Sequence, residues 1–299
     1  MIVVLGSINL DIRFGVETLP LAGETLHARG RSYFGGGKGA NQVLAAKRAG
    51  AEARLFGAVG DDDFAKIALR ELVEAGVTLS GVAVVAEETG SANIYVDCLG
   101  ENCIVVAAGA NGLVNFEMVV SAVSAMQGGI LVLQQEIPFA TNRAALELAR
   151  LHGVKTILNV SPFDATSAEL SRLADIVIAN EHEWARLNDG QVGHDAMREW
   201  CRRNDKILVV TKGAEGVAVS TAKELFEIAA PAIRPLDTVG AGDTFCGYFA
   251  AELDRGGSIR EAAKIAVVAA SIACLRAGAQ PSIPLRHEVL SAMAKPQSP

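Results

Sequence analysis

The sequence predicts an α/β protein: a mostly parallel central sheet covered by helices on both faces, with a smaller separate β-sheet inserted at two places. Three observations predict it. From about residue 54, short apolar runs alternate with stretches of helical periodicity, the rhythm of βαβ units. Runs such as Ile130–Leu133 and Ile207–Val210 are apolar throughout, not at every second position, so their sheet is expected to be buried on both faces. Four further stretches of β character, roughly 12–17, 25–34, 91–97 and 103–108, stand outside that rhythm. Half of the 299 residues are hydrophobic, enough for a large core. Residues 1–299 are therefore expected to form a single domain, with strands from about 12–34 and 90–108 inserted.

In order, residues 2–6 read as a buried strand ending in Gly6-Ser7-Ile8-Asn9-Leu10-Asp11. This puts polar groups just past a strand's carboxyl end, where α/β proteins gather ligand contacts. Pro20 and Gly23 separate the first two extra stretches, and Gly100 lies between the other two as in a hairpin. None of the four is followed by a helix in a βαβ unit. A helix is expected over about 41–49. Further strands are expected near 54–59, 82–86, 130–134, 155–159, 175–179 and 207–211, with helices near 62–75, 115–125, 140–152, 166–173 and 182–188. After Asp243, Phe245, Phe249 and Leu253 recur at helical spacing. Ser258-Ile-Arg-Glu261 is a capping box that opens a helix over about 258–275. A glycine turn from Arg276 to Ser282 ends it, and a last helix runs to about 294. The tail Lys295–Pro299 is expected to fray.

Net charge is −7, and no basic run is longer than a pair such as Arg202-Arg203. Neither nucleic acid nor an anionic membrane is an expected partner, since both need clustered positive charge. Any phosphate must be held by main-chain donors and a few cations. Cys98, Cys103, Cys201, Cys246 and Cys274 are scattered without a C-x-x-C pair, and the histidines show no metal-ligand spacing. No disulfide framework or zinc site is expected. The opening Ile2–Leu5 run is too short for a signal-peptide core, and Ile265–Leu275 is too short to span a bilayer. A cytoplasmic protein is expected.

Residues 237–247, Asp-Thr-Val-Gly-Ala-Gly-Asp-Thr-Phe-Cys-Gly, carry the strongest chemical signal. The small-residue turn Gly240-Ala241-Gly242 leaves the first N–H groups of the next helix bare, and such a start binds anions. Asp243 at its mouth reads either as a helix cap or as a base that takes a proton while the N–H groups hold a phosphoryl group. A second glycine turn, Phe34 to Asn41, leads into the helix near 41–49. It is no Walker A loop, which needs glycine at 32 and Ser or Thr after Lys38, where the chain has Ser32 and Gly39. It is no dinucleotide fingerprint either, because the place of the third glycine holds Gln42. The turn lets backbone approach a ligand, with Lys38 and Asn41 adding polar groups.

Polar residues recur at later strand ends: Gln134-Gln135-Glu136, Asn159, Asn180 to Glu183, and Thr211-Lys212-Gly213. Two groups emerge. Asn9, Asp11, Gly37, Lys38, Asn41 and Glu136 suit a polyhydroxylated ligand. Asn180, Glu183, Thr211, Gly213, Gly216, Gly242 and Asp243 suit nucleotide phosphates with a divalent cation. Each also has a plainer reading: Asn9 and Asp11 as turn residues, Glu136 as a surface carboxylate, Asn180 with Glu183 as a helix cap.

Over essentially its whole length the chain resembles the ribokinase-like carbohydrate kinases, the PfkB group. Gly36-Gly37-Lys38-Gly39-Ala40-Asn41, continued by Gly50 and Gly60, resembles the family's amino-terminal glycine motif. Asn180-Glu-His-Glu183 resembles its N-x-x-E motif, and Asp237 to Gly247 its D-T-x-G-A-G-D motif. The resemblance implies a three-layer α/β/α sandwich whose small sheet is a lid over a sugar site, and a homodimer formed through the lids. It implies an ATP-dependent sugar kinase using Mg2+ and a monovalent activator, usually K+. D-ribose is the expected sugar, with a nucleoside, deoxyribose or a keto-sugar as alternatives and a non-catalytic sugar-binding protein as a remote one. By the same resemblance Asn9, Asp11, Gly37, Lys38, Asn41, Ala92, Ile104 and Glu136 contact the sugar. Asn180 and the run Thr211, Lys212, Gly213, Ala214, Glu215, Gly216 contact the nucleotide, and Glu183 acts on magnesium through water. Asp243 is the base, and Gly240, Ala241, Gly242 and the Asp243 backbone form the anion hole. Asp237, Val239, Ala273, Arg276 (through its carbonyl), Gly278 and Ser282 surround the monovalent ion. Two positions depart from the pattern. Val267 stands where a polar side chain often meets the adenine edge, and Tyr248 where a small residue is usual.

Overall fold

The computed structural model describes residues 1–126 and 128–294; the tail expected to fray lies outside them. The chain begins β1 (Ile2–Leu5), β2 (Asn9–Gly15), β3 (Gly30–Gly36), α1 (Lys38–Arg48), β4 (Ala53–Gly60), α2 (Asp63–Glu74), β5 (Thr78–Val85), β6 (Gly90–Val96) and β7 (Asn102–Ala107). It continues with α3 (Phe116–Ser124), β8 (Ile130–Leu133), α4 (Phe139–Leu151), β9 (Lys155–Asn159), α5 (Ser167–Leu173), β10 (Ile176–Asn180), α6 (Glu181–Leu187), α7 (His194–Asn204) and β11 (Ile207–Thr211). It ends with β12 (Val217–Ser220), β13 (Leu225–Ile228), α8 (Ala241–Asp254), α9 (Ile259–Ala273) and α10 (Arg286–Ala294).

The large sheet has the order β13-β12-β11-β10-β9-β8-β1-β4-β5 and is parallel except for the β12–β13 hairpin at one edge. The side-chain alternation of β1 shows how it is covered. Ile2 and Val4 enter one apolar cluster, with Val43 and Leu44 of α1, Leu72 of α2, Phe249 of α8 and Ala266 of α9. Val3 and Leu5 enter the other, with Val119 of α3, Leu146 of α4, Trp184 of α6 and Trp200 of α7. Two cores on opposite faces of one sheet make the three layers. Among the described residues no helix is long and apolar enough to cross a membrane.

The small sheet has the order β3-β2-β6-β7, with β2 and β6 parallel. Because β2 starts four residues after β1 ends, Asn9 and Asp11 lie where the two sheets meet.

Several boundaries differ from the sequence reading. The second inserted strand begins at Gly30, not 25, since β2 ends at Gly15 and offers no partner beyond the Gly15–Gly30 pair. It runs through Gly37 directly into α1, which starts at Lys38, three residues earlier than expected. β5 starts at Thr78, earlier than expected, pairing along β4. Helix α7 and the β12–β13 hairpin were not anticipated at all.

Candidate functional site

Two chain crossings build the site. At the first, the β3–α1 turn passes over the β1–β2 connection. Gly37 there has φ of 85°, and a Cβ would lie 2.8 Å from the Asn9 nitrogen, so the turn demands glycine. At the second, α1 packs on α8 through Gly247, whose Cβ would lie 2.4 Å from both the Ala45 Cβ and the Gln42 carbonyl oxygen. Together they turn the first residues of α1 toward the start of α8.

Asp243 is the third residue of α8 and does not cap it. The cap is Gly240, left-handed and without a side-chain bond. The Asp243 carboxylate points inward and accepts hydrogen bonds from Asn41 Nδ2 and Gln42 Nε2, both at 2.9 Å. Gln42 is held in turn: its Nε2 also donates to Asn159 Oδ1 at 3.2 Å, and its Oε1 accepts from Gln134 Nε2 at 2.8 Å. Neutral amides thus fix the carboxylate's direction without forming an ion pair with it.

Above it the helix start is open. The first helical bond runs from Thr244 N–H to the Gly240 carbonyl, and Ala241 N–H donates to Thr238 O at 3.3 Å. Gly242 and Asp243 N–H have no main-chain acceptor among the described residues, and a Cβ on Gly242 would meet nothing within 4 Å. Two bare donors are therefore left at a helix start that lines a cleft, whereas Ala241 N–H, also expected in the anion hole, is taken by Thr238.

On the small-sheet side, Glu136 is no surface carboxylate. Its Oε2 accepts from Ser7 Oγ at 2.6 Å and from Lys38 N–H at 3.0 Å. Asn9 and Asp11 are strand residues, not turn residues. Asn9 Oδ1 accepts from Asn111 Nδ2 at 2.7 Å. Asp11 is pushed up to about 7 by burial first, then by the charges of Glu136 and Asp243. Burial lowers the Lys38 ammonium, but Asp243, Glu136 and Glu183 outweigh it and the net shift is upward. Carboxylates and one ammonium thus form a single electrostatic cluster.

Three clefts meet here, and Thr238 lines all of them. The first lies under the small sheet, with Asp11, Arg13, Phe34, Ile94 and Val96 facing Asp237 and Val239. Ala92 is buried in register with Asp11. Ile104, in register with Ile94, is largely exposed. The second is lined by Lys38, Asn180, Glu183, Gly242 and Asp243. Asn180 and Glu183 do form the reciprocal cap of α6, each side chain accepting the other's N–H at 2.9 Å, and they line this cleft as well. The third is mostly apolar, walled by Ala230, Pro231, Ile233, Phe245, Val267 and Ala270 and floored by Thr211, Gly213, Ala214 and Gly216. Ser271 there donates to the Val267 carbonyl at 2.9 Å, and Lys212 pairs with Glu215 and Glu227.

Asp237 stitches two loops, accepting from Val239 N–H and from Gly278 N–H, both at 3.0 Å. Ala273 ends α9, and Arg276 and Ser282 lie along the second loop; Ser282 is buried and the Arg276 side chain turns to Glu288. The carboxylate of Asp237, the main-chain carbonyls of these loops and the Ser282 hydroxyl are all oxygen donors, the type an alkali ion takes in preference to a transition metal. Among the described residues no three His, Cys, Asp or Glu side chains could hold a metal together. Tyr248 is fully buried and donates its hydroxyl to the Pro284 carbonyl at 2.8 Å, a packing role.

Sequence reasoning missed Ser7, Arg13, Gln42, Asn111 and Thr238 as site residues. Gln42 adjoins a recognised motif and Thr238 lies within one, which was the available signal; Asn111 had none.

A model of the pfkB family of carbohydrate kinases matches residues 1–286. The ribokinase of Haemophilus influenzae is 37% identical over 295 residues, 96% of each chain. That of Staphylococcus aureus is 35% identical over 297 residues, 96% of this chain and 98% of that protein. The solved structure of Arabidopsis thaliana ribokinase complexed with ribose and ATP aligns with a TM-score of 0.88 at 32% identity, covering 99% of both chains.

Proposed function

Because the chain belongs to the pfkB family of carbohydrate kinases, we propose that it transfers the γ-phosphoryl group of ATP to the primary 5-hydroxyl of D-ribose, giving D-ribose 5-phosphate and ADP. The observation that carries this reading is the Asp243 carboxylate, aimed by Asn41 and Gln42 and lying beneath the bare N–H groups of Gly242 and itself.

Asn9, Asp11, Lys38, Asn41 and Glu136, with the Gly37 backbone, bind the sugar hydroxyls, and Ala92 and Ile104 give apolar contact from the small sheet. Asp243 takes the 5-hydroxyl proton as the oxygen bonds to phosphorus, a role worth ~10²–10⁴-fold. The Gly242 and Asp243 N–H groups, at a helix start, stabilise charge on the phosphoryl group in flight, a comparable contribution. The nucleotide lies in the apolar cleft, its phosphates reaching Asn180 and the turn at Gly213–Gly216. Closure of the small sheet excludes water, which otherwise competes for the phosphoryl group. Glu183 would act through water on Mg2+ brought by the nucleotide phosphates, and the ion would supply charge neutralisation. Asp237, Ser282 and the carbonyls of Val239, Ala273, Arg276 and Gly278 would hold K+, which would supply positive charge near the helix start.

We also read the protein as a cytoplasmic homodimer joined through its small sheets. Free thiols on all five cysteines support the compartment. The edge strand β7 supports the dimer, exposing Ile104, Val105 and Val106 by 47%, 58% and 53%.

Coupled ATPase assays with ribose, deoxyribose, fructose and several nucleosides, with and without potassium, test the reading. Ribose should be the preferred acceptor. No turnover with any of them would refute the kinase reading; preference for a nucleoside would refute ribose and leave the chemistry standing.

A further inference from the structure

One charged contact ties the small sheet to the loop ahead of α8. Arg13 lies on β2, two residues past Asp11 and on the same face of the sheet. Its Nη1 stands 3.5 Å from Asp237 Oδ2, with the two side chains 32% and 12% exposed. At that depth an ion pair is screened less than on an open surface. Asp237 already accepts the N–H groups of Val239 and Gly278. One carboxylate therefore gathers the loop that opens into Gly240–Asp243, the loop around Gly278, and the strand that carries Asp11. The contact is long and makes no hydrogen bond, so Arg13 acts on Asp237 mainly as a charge.

We propose that Arg13 is a positioning residue that neutralises Asp237 from the small-sheet side, doing in cis part of the work of the monovalent cation and weakening the site's affinity for one. The proposal rests on reading the Asp237–Ser282 loops as a cation site. Two positive charges sharing one carboxylate repel each other, and a fixed guanidinium gives up no binding entropy while a free ion must. Without Arg13, Asp237 keeps its two N–H donors and a full negative charge that only an ion can answer.

The test compares wild type, Arg13→Gln and Arg13→Lys. Thermal unfolding is followed without substrates while KCl replaces choline chloride at constant ionic strength, and ribose turnover is measured at both ends of the series. Arg13→Gln should half-saturate at a KCl concentration at least fivefold lower than wild type. In choline its turnover should fall at least fivefold further than wild type's and return on adding potassium. Arg13→Lys, which keeps the charge, should track wild type. If wild type and Arg13→Gln respond to KCl identically, the role of Arg13 is refuted and the cation site stands. If neither responds to KCl beyond choline, the cation site itself is refuted, and the inference with it.

Discussion

Asp11 has the most perturbed chemistry at the residue scale. Its carboxyl rises from 3.8 to about 7 in the folded chain, first because it is buried and then because Glu136 and Asp243 are near. The stability held by the protonated form is therefore fully present below about 3.8 and lost as pH rises through about 7. Asp11→Asn removes the loss: by urea denaturation the variant should be ~2–4 kcal/mol more stable than wild type at pH 8 and equal to it near pH 4. Equal stabilities at pH 8 would contradict the burial argument. Ribose binding should show the opposite trend. The carboxylate accepts sugar hydroxyls better than the acid does, so wild-type affinity should weaken as pH falls below about 7, and calorimetry on Asp11→Asn should show weaker binding without that pH dependence. Asp11 and Asp243 were legible as candidates because each sits at the end of a strand or the start of a helix. The direction of Asp243 was not: it depends on Gln42, 201 residues away in sequence, where local spacing carries no information.

At the scale of elements, the packing of α1 on α8 decides whether Asn41 and Gln42 reach Asp243. Gly247→Val would push a side chain into the Gln42 carbonyl and the Ala46 nitrogen, both main-chain atoms that cannot step aside. The helices must separate, at a cost of ~1–3 kcal/mol or more, and turnover should drop at least tenfold as Asp243 loses its donors. Thermal unfolding and steady-state assays read the two effects. Tyr248→Phe, on the same helix, strands the Pro284 carbonyl and should cost ~1–2 kcal/mol while leaving turnover within twofold; a larger drop in turnover would give Tyr248 a role beyond packing. The apolar strands and both capping boxes were readable because burial and capping leave local marks. Helix α7 was missed because Met197, Trp200 and Cys201 are its few apolar residues in a charged stretch. The β12–β13 hairpin was missed because its turn, Thr221 to Glu224, lacks the Asn-Gly or Asp-Gly signal.

For the whole molecule, the parallel strands present their carboxyl ends to one side. The small sheet, the helix start and the apolar cleft meet there at Thr238. The alternation of strands and helices made the layers legible, whereas strand order and the convergence of three clefts are long-range outcomes that only the folded chain displays. In the proposed function this convergence places a sugar hydroxyl on Asp243 for phosphoryl transfer. Asp243→Asn keeps the shape and removes the base, so turnover with ribose and ATP, measured beside ribose affinity by calorimetry, tests it most directly. Turnover should fall at least ~10²-fold below wild type with ribose affinity within about threefold; turnover within tenfold of wild type would show that Asp243 is not the base.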